Sequence, residues 1–504
     1  MADKSPFFQR RTAGVLLHPT SLPCPESYWG DNQKNRFRTL GKDAYYFIDL
    51  MIKSGLTIWQ MLPTGPTQAD MSPYQSISAH AGNPELISLD WLLEKGWIKA
   101  EDLHSDGEKN VAVARQKGAL SFYTFIETAE GNQTQQHFQN FCSQQKYWLD
   151  DFSLFCAIRK YRNGASWSNW PIELRQRHQK ALDKVRTELK KDIDVVLFEQ
   201  FAFFNQWLAL KNYANQNGIY LFGDMPIFVG HDSADVWSQQ HYFQLDEEGN
   251  PLTVAGVPPD YFSETGQHWG NPHYAWQVME KDGFQWWLAR LRTQLQLFDL
   301  IRVDHFRGFE AYWEIPGNSH DARLGKWVKA PGEAFPNACF DSYPGLPLVA
   351  ENLGVITEEV EALRNQFDLP GMLVLQFAFD GNTNNPHLPH NHTRNDVIYT
   401  GTHDNDTTQG WWQSINSESQ KRVQEYCFHS DEEMPWLLIE SALASVGRMA
   451  IIPMQDFLEL DGGHRMNMPG TTDKNWVWTF SWDQVEPALA DRIRQLLAIY
   501  HRLG

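Results

Sequence analysis

Acidic residues stand at the ends of three apolar segments of the chain. Asp304 follows LIRV, Glu351 follows LPLVA, and Asp404 lies in THDND after DVIYTG. Burying a charge is costly unless it is paired, so each carboxylate needs either a partner or a chemical role. Two carboxylates about 5 to 5.5 Å apart can perform retaining glycoside chemistry. In that chemistry Asp304 would attack the anomeric carbon and Glu351 would act as acid and base, while Asp404 would stabilise positive charge or grip hydroxyls.

The residues around Asp304 bear on its charge. Side chains alternate along a strand, so Arg302 and Asp304 are predicted to share one face and His305 to lie on the other. Arg302 would lower the pKa of Asp304 and, together with His305, hold it ionised. A purely structural ion pair is the alternative for this strand alone. Dry surroundings would raise the pKa of Glu351 and keep it protonated, as a general acid must be.

Eight short apolar runs, each ending in polar or glycine-rich residues, indicate the elements that position these carboxylates. Continuous apolar runs separated by helical segments predict buried parallel strands. One intervening segment, 355–367, reads as a crossover helix that opens at Thr357. The pattern predicts the α/β class and a (β/α)8 TIM barrel, in which the active site lies at the carboxyl ends of the strands. The runs are 13–23, 56–67, 218–230, 300–308, 346–354, 371–381, 396–406 and 448–457.

The chain of 504 residues is expected to form a single catalytic barrel with two insertions. Residues 85–215 read as a helical insertion. Residues 230–298 form a second insertion, which carries a loop at 257–276 rich in proline, glycine and aromatic residues. We call this loop the lid and expect it to cover a pocket.

Composition narrows the possible partners. The formal net charge of −19 disfavours nucleic acid and anionic membranes. No apolar run reaches the roughly 18 residues of a membrane helix, and the N-terminus lacks a signal-peptide core, so a cytoplasmic location is expected. The 5 cysteines include no C-x-x-C pair, which argues against disulfides and zinc. The 21 tryptophans offer flat faces that suit sugar rings, although core packing is the alternative.

Other motifs carry no cofactor chemistry. His387, His390 and His392 cluster in PHLPHNHT, but their spacing does not match a helical H-x-x-x-H metal site, so a surface loop is expected. The phosphate-binding G-x-x-x-x-G-K-[ST], G-x-G-x-x-G and G-x-S-x-G motifs do not occur. We expect no metal and no cofactor.

Four segments in order, GDMPIFV, IRVDHFRG, AENLG and THDN, resemble the four shared regions of the alpha-amylase clan. SPYQSISAHAGNP, GNP at 270–272, LPGMLVLQFAFDG and RMNMPGT are similar to further blocks of the amylomaltases, the 4-alpha-glucanotransferase family of that clan. The resemblance covers nearly the whole chain. It implies a barrel with insertions, without a metal, acting on maltooligosaccharides and α-1,4-glucans through a covalent glycosyl-aspartate.

By the same matching, the resemblance assigns Asp304 as nucleophile, Glu351 as acid and base, and Asp404 as transition-state stabiliser. It also implies a set of residues that line the donor sugar site, contact neighbouring sugars or shape the lid. They are Tyr74, Asp224, Asp260, Gln267, Trp269, Arg302, His305, Asp380, His403 and Asn467. Trp269 is the tryptophan we expect to stack on a glucose unit.

The chain departs from the family pattern at a few places. His80 stands where an aromatic residue is more common, and CPESYWGDN replaces a glycine-rich segment. Asn352 replaces the usual acidic neighbour of Glu351, a change that could alter the pH optimum. Because the first apolar run starts near residue 13, the N-terminal extension of longer members is expected to be absent.

Two other functions remain open from the sequence. An α-1,4-glucan hydrolase would use the same carboxylates, and the two are separated only by the family blocks outside the four clan regions. A non-catalytic glucan-binding protein is the alternative from another class, although binding alone would not require three carboxylates around one bond. Either a monomer or a homodimer is expected.

Overall fold

The computed structural model describes residues 6–23, 39–103, 109–259, 264–427 and 432–504. Asp260 of the lid and the whole CPESYWGDN segment therefore lie outside the described residues. Within the described ranges, no helix is both long enough and apolar enough to cross a membrane.

Eight parallel strands form the central sheet, in the order β10-β11-β12-β1-β2-β3-β6-β9. Each coincides with one of the eight apolar runs, which confirms the predicted TIM barrel. In chain order the strands of the molecule are β1 Thr12–Leu16, β2 Ile58–Gln60, β3 Tyr220–Pro226, β4 Thr253–Val257, β5 Gln267–Pro272, β6 Leu300–Asp304, β7 Ala311–Pro316, β8 Lys326–Lys329, β9 Leu348–Ala350, β10 Gly371–Val374, β11 Asp396–Tyr399 and β12 Met449–Pro453.

Helices cover the outside of the sheet and fill the long connections. They are α1 Lys42–Ser54, α2 Leu89–Glu94, α3 Lys109–Ile126, α4 Asn132–Tyr161, α5 Ile172–Arg175, α6 Gln179–Glu188, α7 Lys190–Gln216, α8 Ala234–Ser238, α9 Trp276–Lys281, α10 Gln285–Leu297, α11 Ala334–Ser342, α12 Glu358–Gln366, α13 Thr408–Ser414, α14 Ser417–Tyr426, α15 Trp436–Ala444, α16 Met454–Phe457 and α17 Leu489–Ile499. Helix α12 begins directly after Thr357, as the sequence predicts, but the Thr357 side chain makes no capping bond to the helix backbone.

The first and last strands of the barrel pair in register, with Thr12 opposite Met449. Strands β9 and β10 stand at the two ends of the hydrogen-bonded order. There the amide of Ala350 donates to the carbonyl of Pro370 at 2.8 Å. The side-chain oxygen of Asn352 accepts from the amide of Met372, also at 2.8 Å. We call this junction the β9–β10 seam.

A second, antiparallel sheet of order β5-β4-β7-β8 stands beside the barrel. It joins the connection between β3 and β6, which contains β4 and β5, to the segment that follows β6, because β4 pairs with both β5 and β7. This sheet is not predicted by the sequence pattern. Its outer strand β8 is mostly exposed, so it lacks the continuous apolar run that marked the barrel strands.

Helices α2 to α7 occupy the stretch predicted as a helical insertion, between β2 and β3. Aromatic side chains hold them together. Phe122 of α3 packs against Phe138 of α4 and against Phe198 and Phe201 of α7, with ring centroids 5.1 to 5.6 Å apart. Such pairs add stability beyond the burial of their area, and they belong to the same hydrophobic core as the barrel strands.

The amino ends of β1 and β12 are tied together by Arg502, which is fully buried. Its guanidinium donates to five backbone carbonyls at 2.7 to 3.3 Å: Leu443, Thr12, Arg448, Ser445 and Gly447. Burial lowers the pKa of Arg502 to about 9, and the charge of Arg11 adds to that effect. Arg502 therefore holds strands together at the amino end of the barrel, far from the carboxyl ends of the strands.

Candidate active site

A buried arginine connects two carboxylates at the carboxyl ends of β3 and β6. Arg302 donates from Nη1 to Oδ2 of Asp224 at 2.6 Å and from Nη2 to Oδ1 of Asp304 at 2.9 Å. Arg302 and Asp304 thus lie on the same face of β6, as the strand alternation predicts. Burial lowers the pKa of Arg302, but the charges of Asp224 and Asp304 outweigh it and raise the pKa overall.

Tyr74 joins this group from the loop after β2. Its hydroxyl donates to Oδ2 of Asp224 at 2.6 Å and also meets Nε2 of His403 at 2.9 Å. A phenol has one proton to give. Because Asp224 receives it, Nε2 of His403 must carry the hydrogen and donate to the tyrosine oxygen. Burial lowers the pKa of His403, which agrees with a neutral imidazole in this tautomer.

Glu351 lies directly after β9, and backbone amides hold both of its oxygens. Oε2 accepts from the amide of His305 and Oε1 from the amide of Leu353, each at 2.7 Å. His305 adopts a left-handed backbone conformation with φ 53°, which is uncommon for a residue with a side chain. This turn aims its amide at Glu351, so the backbone of the β6 end positions the carboxyl of the β9 end.

The imidazole of His305 does not hold Asp304 ionised, contrary to the expectation. Its ring packs edge-on against Trp269, with centroids 4.9 Å apart. Burial lowers the pKa of His305 to about 3, so the ring carries no charge at neutral pH. A neutral ring cannot stabilise a carboxylate by charge, whereas the cationic Arg302 lowers the pKa of Asp304.

The pKa of Asp304 is raised overall, and here too the structure corrects the sequence analysis. Burial raises it most; Arg302 opposes this, but the charges of Asp224, Glu351 and Asp404 raise it further. Burial likewise raises the pKa of Glu351, as predicted. When interacting carboxyls crowd together, the group keeps a proton that isolated carboxyls would lose. A proton shared between Asp304 and Glu351 would leave one carboxyl ionised and the other protonated, the pair needed for a nucleophile and an acid.

Asp404 faces the same pocket from the loop after β11 and is more open, with 48% of its side chain exposed. The amide of Asn467 donates to its Oδ1 at 2.6 Å, and Nε2 of His403 lies 3.4 Å from the same oxygen. Nη2 of Arg465 donates to its backbone carbonyl at 2.9 Å. The segment around Asn467 thus fixes both the side chain and the backbone of Asp404.

The described part of the lid also reaches the site. The indole nitrogen of Trp269 donates to Oε1 of Gln267 at 3.0 Å, and Gln75 donates to the carbonyl of Trp269 at 3.3 Å. Asp380, by contrast, is exposed and accepts from the amide of Asn382 at 2.8 Å. Within the described residues, no hydrogen bond joins Asp380 to the carboxylates above.

Three residues of the site were missed from the sequence. Arg465 stands two positions before Asn467 in RMNMPGT, so that block was a usable signal. Gln75 follows Tyr74 in SPYQ and donates to Oδ1 of Asn271 at 3.4 Å. The ring of Trp476 lies 5.8 Å from that of Tyr74, and its distant sequence position gave no signal. All three reach the site through loops.

Two other sequence features have structural partners. The side chain of Asn352 turns to the β9–β10 seam, and its Nδ2 donates to Glu361 at 2.8 Å. The histidines of PHLPHNHT each contact separate groups: His387 meets the amide of Val374, His390 meets Tyr426, and His392 meets Ser445. Among the residues described, no group of His, Cys, Asp or Glu is arranged to hold a metal ion.

Comparisons with known proteins place this geometry in context. A family model described as 4-alpha-glucanotransferase matches residues 17–484. A 4-alpha-glucanotransferase of Thermus thermophilus is 45% identical over 98% of this chain and 99% of its own length. One from Synechocystis is 44% identical over 98% of each chain, and a chloroplastic or amyloplastic one from Solanum tuberosum is 43% identical over 98% of this chain and 87% of its own.

Solved structures agree with the sequence relatives. The amylomaltase of Streptococcus agalactiae, solved in complex with acarbose, superposes with a TM-score of 0.92 at 34% identity, covering 98% of this chain and 100% of that one. The amylomaltase of Corynebacterium glutamicum superposes with a TM-score of 0.74 at 16% identity, covering 99% of this chain and 76% of that one, and it speaks for the fold alone.

Proposed function

The chain belongs to the 4-alpha-glucanotransferase family, glycoside hydrolase family 77, and is an enzyme of that activity; we propose that it transfers α-1,4-glucan segments by retaining double displacement at Asp304. The observation that carries the proposal is the Arg302 bridge between Asp224 and Asp304. This bridge holds a carboxylate at the mouth of the barrel within one pocket with Glu351. The arrangement fits a nucleophile beside an acid.

In the first step, a carboxylate oxygen of Asp304 attacks the anomeric carbon of the donor sugar. The bond from that carbon to the leaving O4 breaks, and Glu351 gives its proton to the departing oxygen. Glu351 can carry this proton and keep both backbone amide bonds, because each of its oxygens accepts one hydrogen and has a second lone pair. The product of the step is a covalent glycosyl-aspartate.

In the second step, the 4-hydroxyl of another glucan takes the place of the leaving sugar. Glu351, now ionised, accepts the hydroxyl proton, the new O4 bond forms at the anomeric carbon, and Asp304 departs as a carboxylate. Two displacements restore the original anomeric configuration. The leaving part of the donor departs before the acceptor reacts, so the scheme is ping-pong.

The neighbouring residues support this scheme. We assign Asp404 to the sugar hydroxyls and to the positive charge of the transition state, with Asn467 holding its carboxylate. Tyr74, Asp224, Arg302, His305 and His403 would line the donor site, and Gln267 and Trp269 would contact neighbouring sugars. Asp260 and Asp380 keep their proposed sugar contacts from the family resemblance alone.

We propose maltooligosaccharides and α-1,4-glucans, such as those of starch, glycogen or maltose metabolism, as substrates. The acarbose complex of the streptococcal amylomaltase supports an oligosaccharide ligand. We also propose a cytoplasmic location. Four cysteines of the described chain, Cys142, Cys156, Cys339 and Cys427, are free thiols, which suits a reducing compartment.

The direct test is to incubate the purified protein with maltotriose and to separate the products by chain length over time. Transfer predicts a ladder of longer and shorter maltooligosaccharides together with glucose. Maltose and glucose alone would mean hydrolysis. Unchanged maltotriose that still binds would mean a glucan-binding protein without turnover.

The lid has its own test. Transfer outcompetes hydrolysis only if water is kept from the covalent intermediate, and Trp269 stands beside His305 at the edge of the pocket. Trp269→Ala should therefore raise the ratio of free glucose to transferred chains, with Trp327→Ala as a control on a half-exposed tryptophan of the second sheet. An unchanged ratio would remove the lid from the mechanism.

A further inference from the structure

A cavity of about 200 Å³ lies outside the pocket that contains Tyr74 and Asp224. We call it the outer cavity; it is bounded by α4, α8 and α10, and Ser78 and His80 line both spaces. Its volume is below the roughly 300 to 1,000 Å³ of pockets for drug-sized ligands. It therefore suits one or two small rings, and none of the roles proposed above uses it.

The wall between the two spaces is fixed by hydrogen bonds. His80 Nδ1 meets the hydroxyl of Thr293 at 2.8 Å, and Tyr147 meets the same hydroxyl at 2.6 Å. The ring of His80 stacks on Trp148 with an interplanar angle of 8°. Nε2 of His80 lies 3.6 Å from Asp235. A rigid partition of this kind makes the outer cavity a separate site.

The lining combines flat rings with hydrogen-bonding edges. Tyr147, Trp148, Tyr242 and Trp286 supply aromatic faces, while Gln239 and Gln285 supply amides. The side chains of these two glutamines make no hydrogen bond to other residues that the structure describes, so both are available to a ligand. Sugars are apolar on the face and polar at the edge, and this lining matches both properties.

The charged groups of the wall already have partners within the protein, which favours a neutral ligand. Asp151 forms an ion pair with Arg177 at 2.6 Å, and Asp235 accepts from the amide of Ala79 at 2.8 Å. Arginine cations already cover two of the rings: Arg292 lies 5.0 Å from the centroid of Tyr147 and Arg290 lies 5.6 Å from that of Trp286. A cationic ligand would meet these arginines, and an anionic one would meet two carboxylates.

We propose that the outer cavity is an accessory binding site for one or two units of a neutral oligosaccharide, separated from the catalytic pocket by the His80 wall. The proposal rests on the proposed function only in choosing glucose as the unit. Bound there, a glucan chain would be held at the surface next to the catalytic pocket without being exposed to Asp304.

The test is ¹⁹F NMR of protein labelled with 5-fluorotryptophan, in the Asp304→Asn background so that maltose is not consumed. Trp286→Phe and Trp269→Phe identify the two resonances by deleting them. Maltose should shift the Trp286 resonance saturably. Glycerol at the same concentration should leave it in place, and so should tetramethylammonium.

A matched pair of variants locates the effect. Ala289 lines the cavity from α10, so Ala289→Phe should fill it and abolish the Trp286 shift, while Ala289→Ser should retain the shift. If Ala289→Phe fails to fold, Ser238→Phe fills the cavity from α8. The Trp269 resonance, at the lid, should move with maltose in every variant that keeps this tryptophan.

Several results would overturn the accessory site. They are a Trp286 resonance that maltose leaves unmoved, an equal shift with glycerol, a shift with tetramethylammonium alone, or a maltose shift that persists in the filled cavity. A silent Trp269 beside a shifting Trp286 would instead count against the lid in the proposed function and leave the accessory site standing. The two failures are thus distinguishable.

Discussion

Two buried arginines stand at opposite ends of the same barrel. Arg302 binds the carboxylates of Asp224 and Asp304 at the carboxyl ends of the strands, whereas Arg502 binds only backbone carbonyls at the amino ends. The pKa of Arg302 is raised by its partners' charges against the effect of burial, and the pKa of Arg502 is lowered by burial. At the carboxyl end of the barrel, charged groups are gathered where they can act on a substrate. At the amino end, a charged side chain holds the strands together.

The largest expected effect is at Asp304, at the carboxyl end of the barrel. Asp304→Asn keeps the shape of the side chain but removes the proposed nucleophile, so transfer from maltotriose should fall by at least ~10³-fold. The midpoint of thermal unfolding should stay the same or rise, because the change removes a carboxyl that other carboxylates repel. Initial rates and a thermal melt measure both. Retained turnover would move the chemistry away from Asp304.

Exchanging each arginine for lysine should separate the two ends. Arg302→Lys cannot bridge two carboxylates with a planar fork, so transfer should fall ~10²-fold. Arg502→Lys cannot reach five carbonyls, so unfolding free energy should fall by ~2 kcal/mol with turnover unchanged. Denaturant unfolding and initial rates are compared for both variants. If both variants lost the same property, the two arginines would not differ in role.

A smaller effect is expected at the support of Asp404. Asn467→Ala removes the amide that holds its carboxylate, and the maltotriose transfer rate should fall ~10-fold, the scale of one hydrogen bond to a charged group. Asn475→Ala is the control, because that side chain bonds only to Met468 and Thr471 in the same loop. Equal losses in the two variants would point to the loop as a whole.

The last expected effect is on stability against pH. Burial raises the pKa of Asp304 from its ordinary 3.8 to about 8 and also raises that of Glu351, so the folded protein keeps a proton on this pair that the unfolded chain loses. Stability should therefore fall as pH rises through that window, and Asp304→Asn should lack this part of the slope. Unfolding free energies of both proteins from pH 5 to about 9 test it. Parallel curves would mean that the proton is held elsewhere.

The barrel could be predicted from the sequence because of how parallel strands are buried. Both faces of such a sheet are covered, so β3 and β6 are continuous apolar runs with polar ends. The second sheet could not be found in this way. Its strand β8, KWVK, is largely exposed and pairs with β7 across a turn, and neither carries a strong period.

The residues of the site differ in the same way: those at strand ends could be predicted from the sequence, and those in loops could not. Asp304 ends β6, and Glu351 and Asp404 come after β9 and β11. The carboxyl ends of parallel strands meet at one edge, so the convergence of these residues could be predicted. Gln75 and Arg465 lie in loops, whose paths depend on packing that a sequence pattern does not encode. The pKa of Asp304 depends on how many carboxylates meet in space. The pairing of Asp304 with Arg302 could be predicted from the sequence. The combined effect of burial and of the neighbouring carboxylates on the pKa of Asp304 could not.

The β9–β10 seam should open more easily than the other strand junctions of the barrel. Elsewhere neighbouring strands share ladders of backbone hydrogen bonds, but here one backbone bond and the side chain of Asn352 bridge the gap beside Glu351. Local opening requires the least bond breaking at such a junction. The amide of Met372 should therefore exchange with deuterium sooner than the amides inside the β1–β12 ladder, and Asn352→Ala should hasten it further. Glu351, the proposed acid, thus stands beside the strand junction that has the fewest backbone hydrogen bonds in the described barrel.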